Sequence, residues 1–385
     1  MKTEFNIIDF GAIGDGITDC TKAVQAALDE ASTCSGKVIV PPGKYMVGHL
    51  DMKGQGVSIE GTSAWSYRSD GASTFVLNDA DTDSMINITG AFGCAIRGMS
   101  LCGNKLGDAK NHPIHGVKLY WDQYNGGSEE DTPTIDDCRI GNFSGDGVHL
   151  EHIWCFSVRH SMLHNNGGNG LFLDGWDGFI LDNWFSFNEG WGIKGGNVVA
   201  SITATGNRVE WNYSGGFNFN FGDSYNITGN FFDRSHGPAI DLGGDKNVSL
   251  VTITGNIFRR SGAYKEIPFI NKEDSCHLRM VNCSNIVVTG NTMRVGRNDG
   301  GGGVLTPHYG IIIRENTECI VKNNTMMTGA LAELVVEENN RNSIIGENIG
   351  TLADETTSTG SPFVKLVEKE RLSRFRELVF CLTKT

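Results

Sequence analysis

Glu210 and Asp233 occupy matching places in two segments of one pattern, Gly206–Asn212 (GNRVEWN) and Gly229–Ser235 (GNFFDRS). If each segment is one coil of a stacked strand structure, the two acids are surface neighbours roughly 5 Å apart. Paired carboxyl groups about 5–5.5 Å apart suit a retaining glycosidic mechanism, with one as nucleophile or stabiliser and the other as acid/base. Like charges at that spacing also help keep one group protonated as a general acid. Around them Phe187, Trp191 and Trp211 offer faces for sugar rings, and Asn188, Asn212, Arg234, Arg259, Arg260 and His236 offer partners for hydroxyls. The competing reading is a solvated ion-pair ladder, Glu210 near Arg234 and Asp233 near Arg259, of little energetic value. Stacked like charges are unfavourable on a sheet, however, so the acid pair costs something unless it is used. His164 reads as a satisfied polar neighbour, Asp174, Asp177 and Asp182 as turn residues, and Glu189 and Asp241 as lesser acid candidates.

Elements that would hold these residues in step come from a repeat of about 23 residues. Asp177–Asn188, Ser201–Asn212, Ser224–Ser235 and Leu250–Ser261 align, with Trp154–Asn165 fitting more loosely. Asn183, Asn207, Asn230 and Asn256 form one column, each preceded by glycine or aspartate, and Asn291 and Asn323 continue it. Ile180, Ala204, Ile227 and Ile253 form an apolar column, and Met162, Phe185, Val209, Phe232 and Phe258 another. Each coil leaves its strand edges unpaired until the next stacks about 4.8 Å along the axis. A buried asparagine at the corner then bonds to its equivalents above and below. Unrelated hairpins would favour Asn-Gly rather than Gly-Asn and would not keep apolar columns in step. The fold class is therefore all-β, a right-handed parallel β-helix.

Composition agrees. Fifty-one glycines against 8 prolines suit many sharp corners, and 39% hydrophobic residues supply a core. A solenoid absorbs 385 residues without splitting, so residues 1–362 read as one domain with a cap over about 1–48. A net charge of −13 disfavours nucleic acid, anionic membranes and polyanionic glycans, although a basic groove can hide in an acidic whole. The ten cysteines form no C-x-x-C pair, which disfavours a zinc cluster or a thioredoxin-type centre, and separately no metal or cofactor is expected. The opening MKTEFNIIDFG lacks an apolar leader, which gives a cytoplasmic expectation, or a secreted one if a leader has been removed. Gly300–Gly303 with Asp299 reads as a flexible insertion over a groove.

At the N-terminus, Asp19–Ala31 has helical apolar spacing and is the expected cap of an open solenoid end. Lys37–Val40, a Pro-Pro-Gly turn and Lys44–Val47 follow as strand, turn and strand. Together Asn6–Gly48 resembles the N-terminal signature of the pectate-lyase-like superfamily. The polygalacturonase motifs N-T-D, G-H-G and R-x-K are missing, and the acidic composition argues mildly against a pectate lyase. Phe363–Phe380 is an amphipathic stretch suited to the other cap or to a subunit contact, within a tail of residues 363–385. WDGFILDNWFSFNEGWGI, GNRVEWNYSGG and ITGNFFDRSHGPAI are similar to stretches of inulin fructotransferases and difructose-anhydride hydrolases. That narrower resemblance implies a metal-independent carboxylate pair, a fructan oligo- or polysaccharide substrate and a homotrimer. The alternative is a tailspike-like or cell-surface β-helix that binds or depolymerises another glycan.

Overall fold

The computed structural model describes residues 2–62, 69–122, 130–262, 275–294 and 307–353. The expected C-terminal helix and the glycine-rich insertion at 300–303 lie outside the described residues. Thr21–Ser32 is the one helix longer than a turn among them. Asp19 Oδ1 accepts from its Thr21 N–H at 2.9 Å, and Val24, Ala27, Leu28 and Ala31 face inward. The helix starts two residues later than its apolar spacing predicts, because Asp19 still belongs to the strand Asp15–Asp19.

Every named strand pairing is parallel, and they form a nineteen-stranded and a thirteen-stranded sheet. The larger sheet makes two faces, because its long strands bend midway. Val148–Arg159, Leu171–Leu181 and Trp191–Thr205 shift register at the bend, where His152 (φ 59°) turns the chain. Face 1 takes the first halves of these strands and face 2 the second halves. Face 3 is the thirteen-stranded sheet of short strands such as Arg208–Glu210 and Phe231–Asp233. Right-handed crossing of parallel strands coils the three into the expected right-handed β-helix.

Inward columns line each face. Val148, Leu171, Ile193, Phe217, Ile240 and Leu278 stack on face 1. Ile180, Ala204, Ile227 and Ile253 stack on face 2, as the repeat predicts. On face 3 the column runs Leu163, Phe185, Val209, Phe232 and Phe258. Leu163, not Met162, is the inward residue: Val158 pairs with Ile180, so that rung is one residue shorter than a spacing of 23 would make it.

The corner between faces 2 and 3 carries the asparagine ladder. Asn183, Asn207, Asn230, Asn256 and Asn291 each bond the next amide oxygen at 2.9–3.1 Å. Asn324 rather than Asn323 continues it, since Asn323 (φ 58°) takes the left-handed position before the ladder residue. At the corner between faces 3 and 1 the inward place is Gly116, Gly147, Gly170, Gly192 or Gly216. A Cβ on Gly116 would lie 2.4 Å from the Gly147 carbonyl oxygen, so the coils close only without one.

Candidate active site

Glu210 and Asp233 are Cα partners on adjacent rungs of face 3. Both point away from the core, yet they are only 4% and 1% exposed. The expected surface pair is covered. Trp184 donates its indole N–H to Glu210 Oε1 at 2.9 Å, and Arg208 reaches Oε2 at 3.0 Å. Asp233 accepts from Arg260 Nε at 2.9 Å and also from Arg234. The buried Asp233 is thus held by Arg234 and Arg260 and its neighbour Glu210 by the partly exposed Arg208, so that cations offset the stacked acids.

The other expected sugar ligands divide. Asn188 and Asn212 turn inward and form a second amide ladder with Asn166, at 2.9 Å per step. They satisfy backbone and one another, so they are not groove residues. Arg260 is fully buried on Asp233, and His236 is buried beside the Tyr213 ring at 4.9 Å. Phe187 and Trp211 stack in parallel at 5.7 Å, and the Arg234 guanidinium lies 5.0 Å above Trp211. Their ring faces thus contact each other along the axis. Arg259 is the half-buried partner of Asp233 on the next rung. Trp191 stands apart, on face 1.

Face 1 holds the cluster that the 23-residue columns did not isolate. Its outward positions form a continuous column of Lys118, His149, Phe172, Lys194, Asn218, Asp241 and Arg279. The signal was a second repeat of small, apolar, variable, apolar residues: HGVKLY, DGVHLE, NGLFLD, WGIKGG and GGFNFN. Its third variable positions are this column.

At the N-terminal end of the column, the buried Asp146 carboxylate organises the neighbours. Its Oδ2 accepts from His149 Nδ1 at 2.7 Å. Its Oδ1 accepts from the Asn169 backbone and side-chain amides at 2.6 and 2.8 Å. His149 Nε2 lies 3.2 Å from Glu151 Oε2. The His115 ring lies 4.3 Å from that of His149, which stacks on Phe172 at 4.6 Å and 9°. Burial alone would lower the His149 pKa, but bonds to and charges of Asp146 and then Glu151 raise it above the usual 6.5. Further along, Lys194 bonds Asn218, and burial lowers its pKa despite Asp241. Arg279 pairs with Asp241 at 2.9 Å, and Lys118 with Asp83 at 2.8 Å.

Ligand atoms of His115, Asp146 and His149 all lie within 4.8 Å, so these are the described residues that could hold a cation. Each of these groups already takes part in a hydrogen bond, though. His115 Nδ1 accepts the Asp146 backbone N–H at 3.0 Å, and both Asp146 oxygens accept as above. The arrangement is a proton-carrying array rather than an open coordination shell.

A parallel β-helix with a polar, titratable column along one outer face defines a pectate-lyase-like protein. The chain matches the family described as rhamnogalacturonase A/epimerase, pectate lyase-like, over residues 4–218, and it belongs to that family. It is 26% identical to mannuronan C5-epimerase AlgE5 of Azotobacter vinelandii over 51% of this chain and 20% of that protein. It is 28% identical to alginate lyase 7 of the same organism, over 51% and 24%. The chain thus spans about a fifth to a quarter of the length of these two relatives. The fold is shared with the A-module of A. vinelandii mannuronan C5-epimerase AlgE4, with a TM-score of 0.61 at 18% identity, covering 91% of this chain and 100% of that one. The narrower likeness to inulin fructotransferases finds no support among these relatives.

Proposed function

We propose that the protein is an enzyme acting on an acidic polysaccharide, a polyuronate, by removing the proton from the sugar carbon that bears the carboxylate. The observation that carries this is the Asp146–His149–Glu151 array on the outer column of face 1, with Lys118, Lys194 and Arg279 spaced along the same column. The relatives support it chemically. Inversion at C5 and β-elimination both begin by breaking the C5–H bond, and the electron pair moves into the adjacent carboxylate. An epimerase returns a proton to the other side of C5. A lyase instead forms the C4–C5 double bond while the C4–oxygen bond breaks and that oxygen takes a proton.

His149 is the proton acceptor in this reading: Asp146 holds the ring through Nδ1, and Nε2 takes the proton as Glu151 swings away. Cations near the sugar carboxylate lower the cost of the charge that develops there. The column carries three basic side chains, Lys118, Lys194 and Arg279, two of them paired with Asp83 and Asp241, so a sugar carboxylate there competes with those two acids.

The test is incubation with mannuronan, polyguluronate and polygalacturonate in D2O. Deuterium at C5 and ultraviolet absorbance of unsaturated ends are the readouts. At least one polymer is expected to exchange, and His149→Asn to slow exchange by about 10²-fold or more. The rate should rise with pH along a limb displaced above 6.5, because neutral His149 is the active form and its pKa is raised. No exchange and no unsaturation with any of the three would reject the proposal.

A second reading keeps fructosyl transfer at Glu210 and Asp233, favoured by their in-register pairing. Their ties to three arginines and Trp184 count against it. Turnover of inulin that Glu210→Gln abolishes would favour it over the first.

A further inference from the structure

Asp146 sets the proton positions of two imidazoles in opposite senses. Its backbone N–H points at His115 Nδ1 from 3.0 Å, which requires a lone pair on that nitrogen. A proton on Nδ1 would force two hydrogens into the same gap. The Asp146 carboxylate would favour such a proton, but its Oδ2 is the more distant neighbour at 3.4 Å and already accepts from His149. The His115 contact is one step of a series along the corner. The Asn169 N–H donates to Asp146 Oδ1, and the Trp191 N–H to Asn169 Oδ1 at 2.9 Å. Each corner side chain accepts the amide of the next rung, so His115 Nδ1 is held as an acceptor by backbone.

His149 is the reverse case. Its Nδ1 carries a proton to the buried Asp146 carboxylate at 2.7 Å, and Nε2, 3.2 Å from Glu151 Oε2, is the nitrogen left for the substrate once Glu151 swings away. His115 keeps its own proton on Nε2. That nitrogen bonds to no described residue and is not sealed from solvent, and the ring lies 4.3 Å from the His149 ring.

We propose that His115 is a fixed Nε2–H donor beside the base, and that its ligand is the sugar carboxylate oxygen on which charge grows as the proton leaves. The choice of ligand rests on the polyuronate reading. The tautomer does not.

Two measurements test it. In the full-length, ligand-free protein labelled with ¹⁵N, long-range ¹H–¹⁵N correlation near neutral pH should show His115 protonated at Nε2 and bare at Nδ1. His149 should show a protonated Nδ1. A proton on His115 Nδ1, in either the other tautomer or the cation, would overturn the proposal. His115→Asn offers Oδ1 in place of Nδ1, so it should keep the melting temperature while C5 exchange falls by about 10²-fold. His115→Gln carries an amide N–H nearer the lost donor and should recover part of the rate. An unchanged rate in His115→Asn would overturn the donor role. Wild-type protein that exchanges no polyuronate defeats the function reading alone, and the ring nitrogens still decide the proposal.

Discussion

The acid pair on face 3 is a buried charge network, and its residues answer for stability before chemistry. Removing one member of a buried ion pair leaves its partner desolvated, at about 3–5 kcal/mol. Asp233→Asn is therefore expected to lower unfolding free energy by about that amount, since Arg260 is fully buried against it. Urea denaturation measures the loss, and C5 exchange per folded molecule should be unchanged. A stable Asp233→Asn protein without activity would instead return Asp233 to the chemistry. The pairing of Glu210 with Asp233 was legible, because residues beside an inward column point outward. Their cover was not. Arg208 lies two residues before Glu210, on the same outward side of one short strand, and Trp184 joins from the rung before.

The asparagine ladder is the element that fixes rung on rung. Asn207 donates to the Ile180 carbonyl and to Asn230, both at 2.9 Å, and accepts from the Asn183 backbone at 3.0 Å. Truncating it strands several buried polar groups, each worth about 1–3 kcal/mol. Asn207→Ala should thus cost about 3 kcal/mol or more, while Asn226→Ala, exposed on the neighbouring face, should stay within about 0.5 kcal/mol. Comparable denaturation midpoints for the two would contradict a ladder role. This element was readable because a buried amide must recur once per coil to pair with itself. Asn188 and Asn212 show the limit of that reading: the same residue type one corner further on also turns inward, into a second ladder.

At the scale of the whole molecule, the corner place that is small from Gly116 to Ala239 holds larger residues on either side, Met85 before the run and His277 after it. His277 is the partner of Ala239, in the place that the coils from Gly116 to Gly216 give to glycine. It is fully buried and donates Nε2–H to the Gly329 carbonyl at 3.0 Å, and burial lowers its pKa to about 4. The unfolded chain takes up a proton near 6.5 while the folded one resists until about 4, so stability falls as pH drops through that window. The loss is up to about 3 kcal/mol by the acid end. His277→Gln keeps a donor but cannot titrate, so its unfolding free energy should lose less than the wild type's between neutral pH and the acid end of that window. Parallel pH curves would remove the histidine from the account.

The coil, its inward columns, its first ladder and its helical cap were set by the sequence itself, because alternation along a strand and stacking between coils impose recurring residue types. The site was decided by the tertiary structure. Outward side chains on face 1 carry no packing demand and hence no column of like residues, so His149 shares its column with Lys118, Phe172 and Lys194. His115, Asp146, His149 and Asn169 meet because coils of unequal length are stacked on one axis, and that stacking also decided which acids stay open to a substrate and which are sealed beneath arginine.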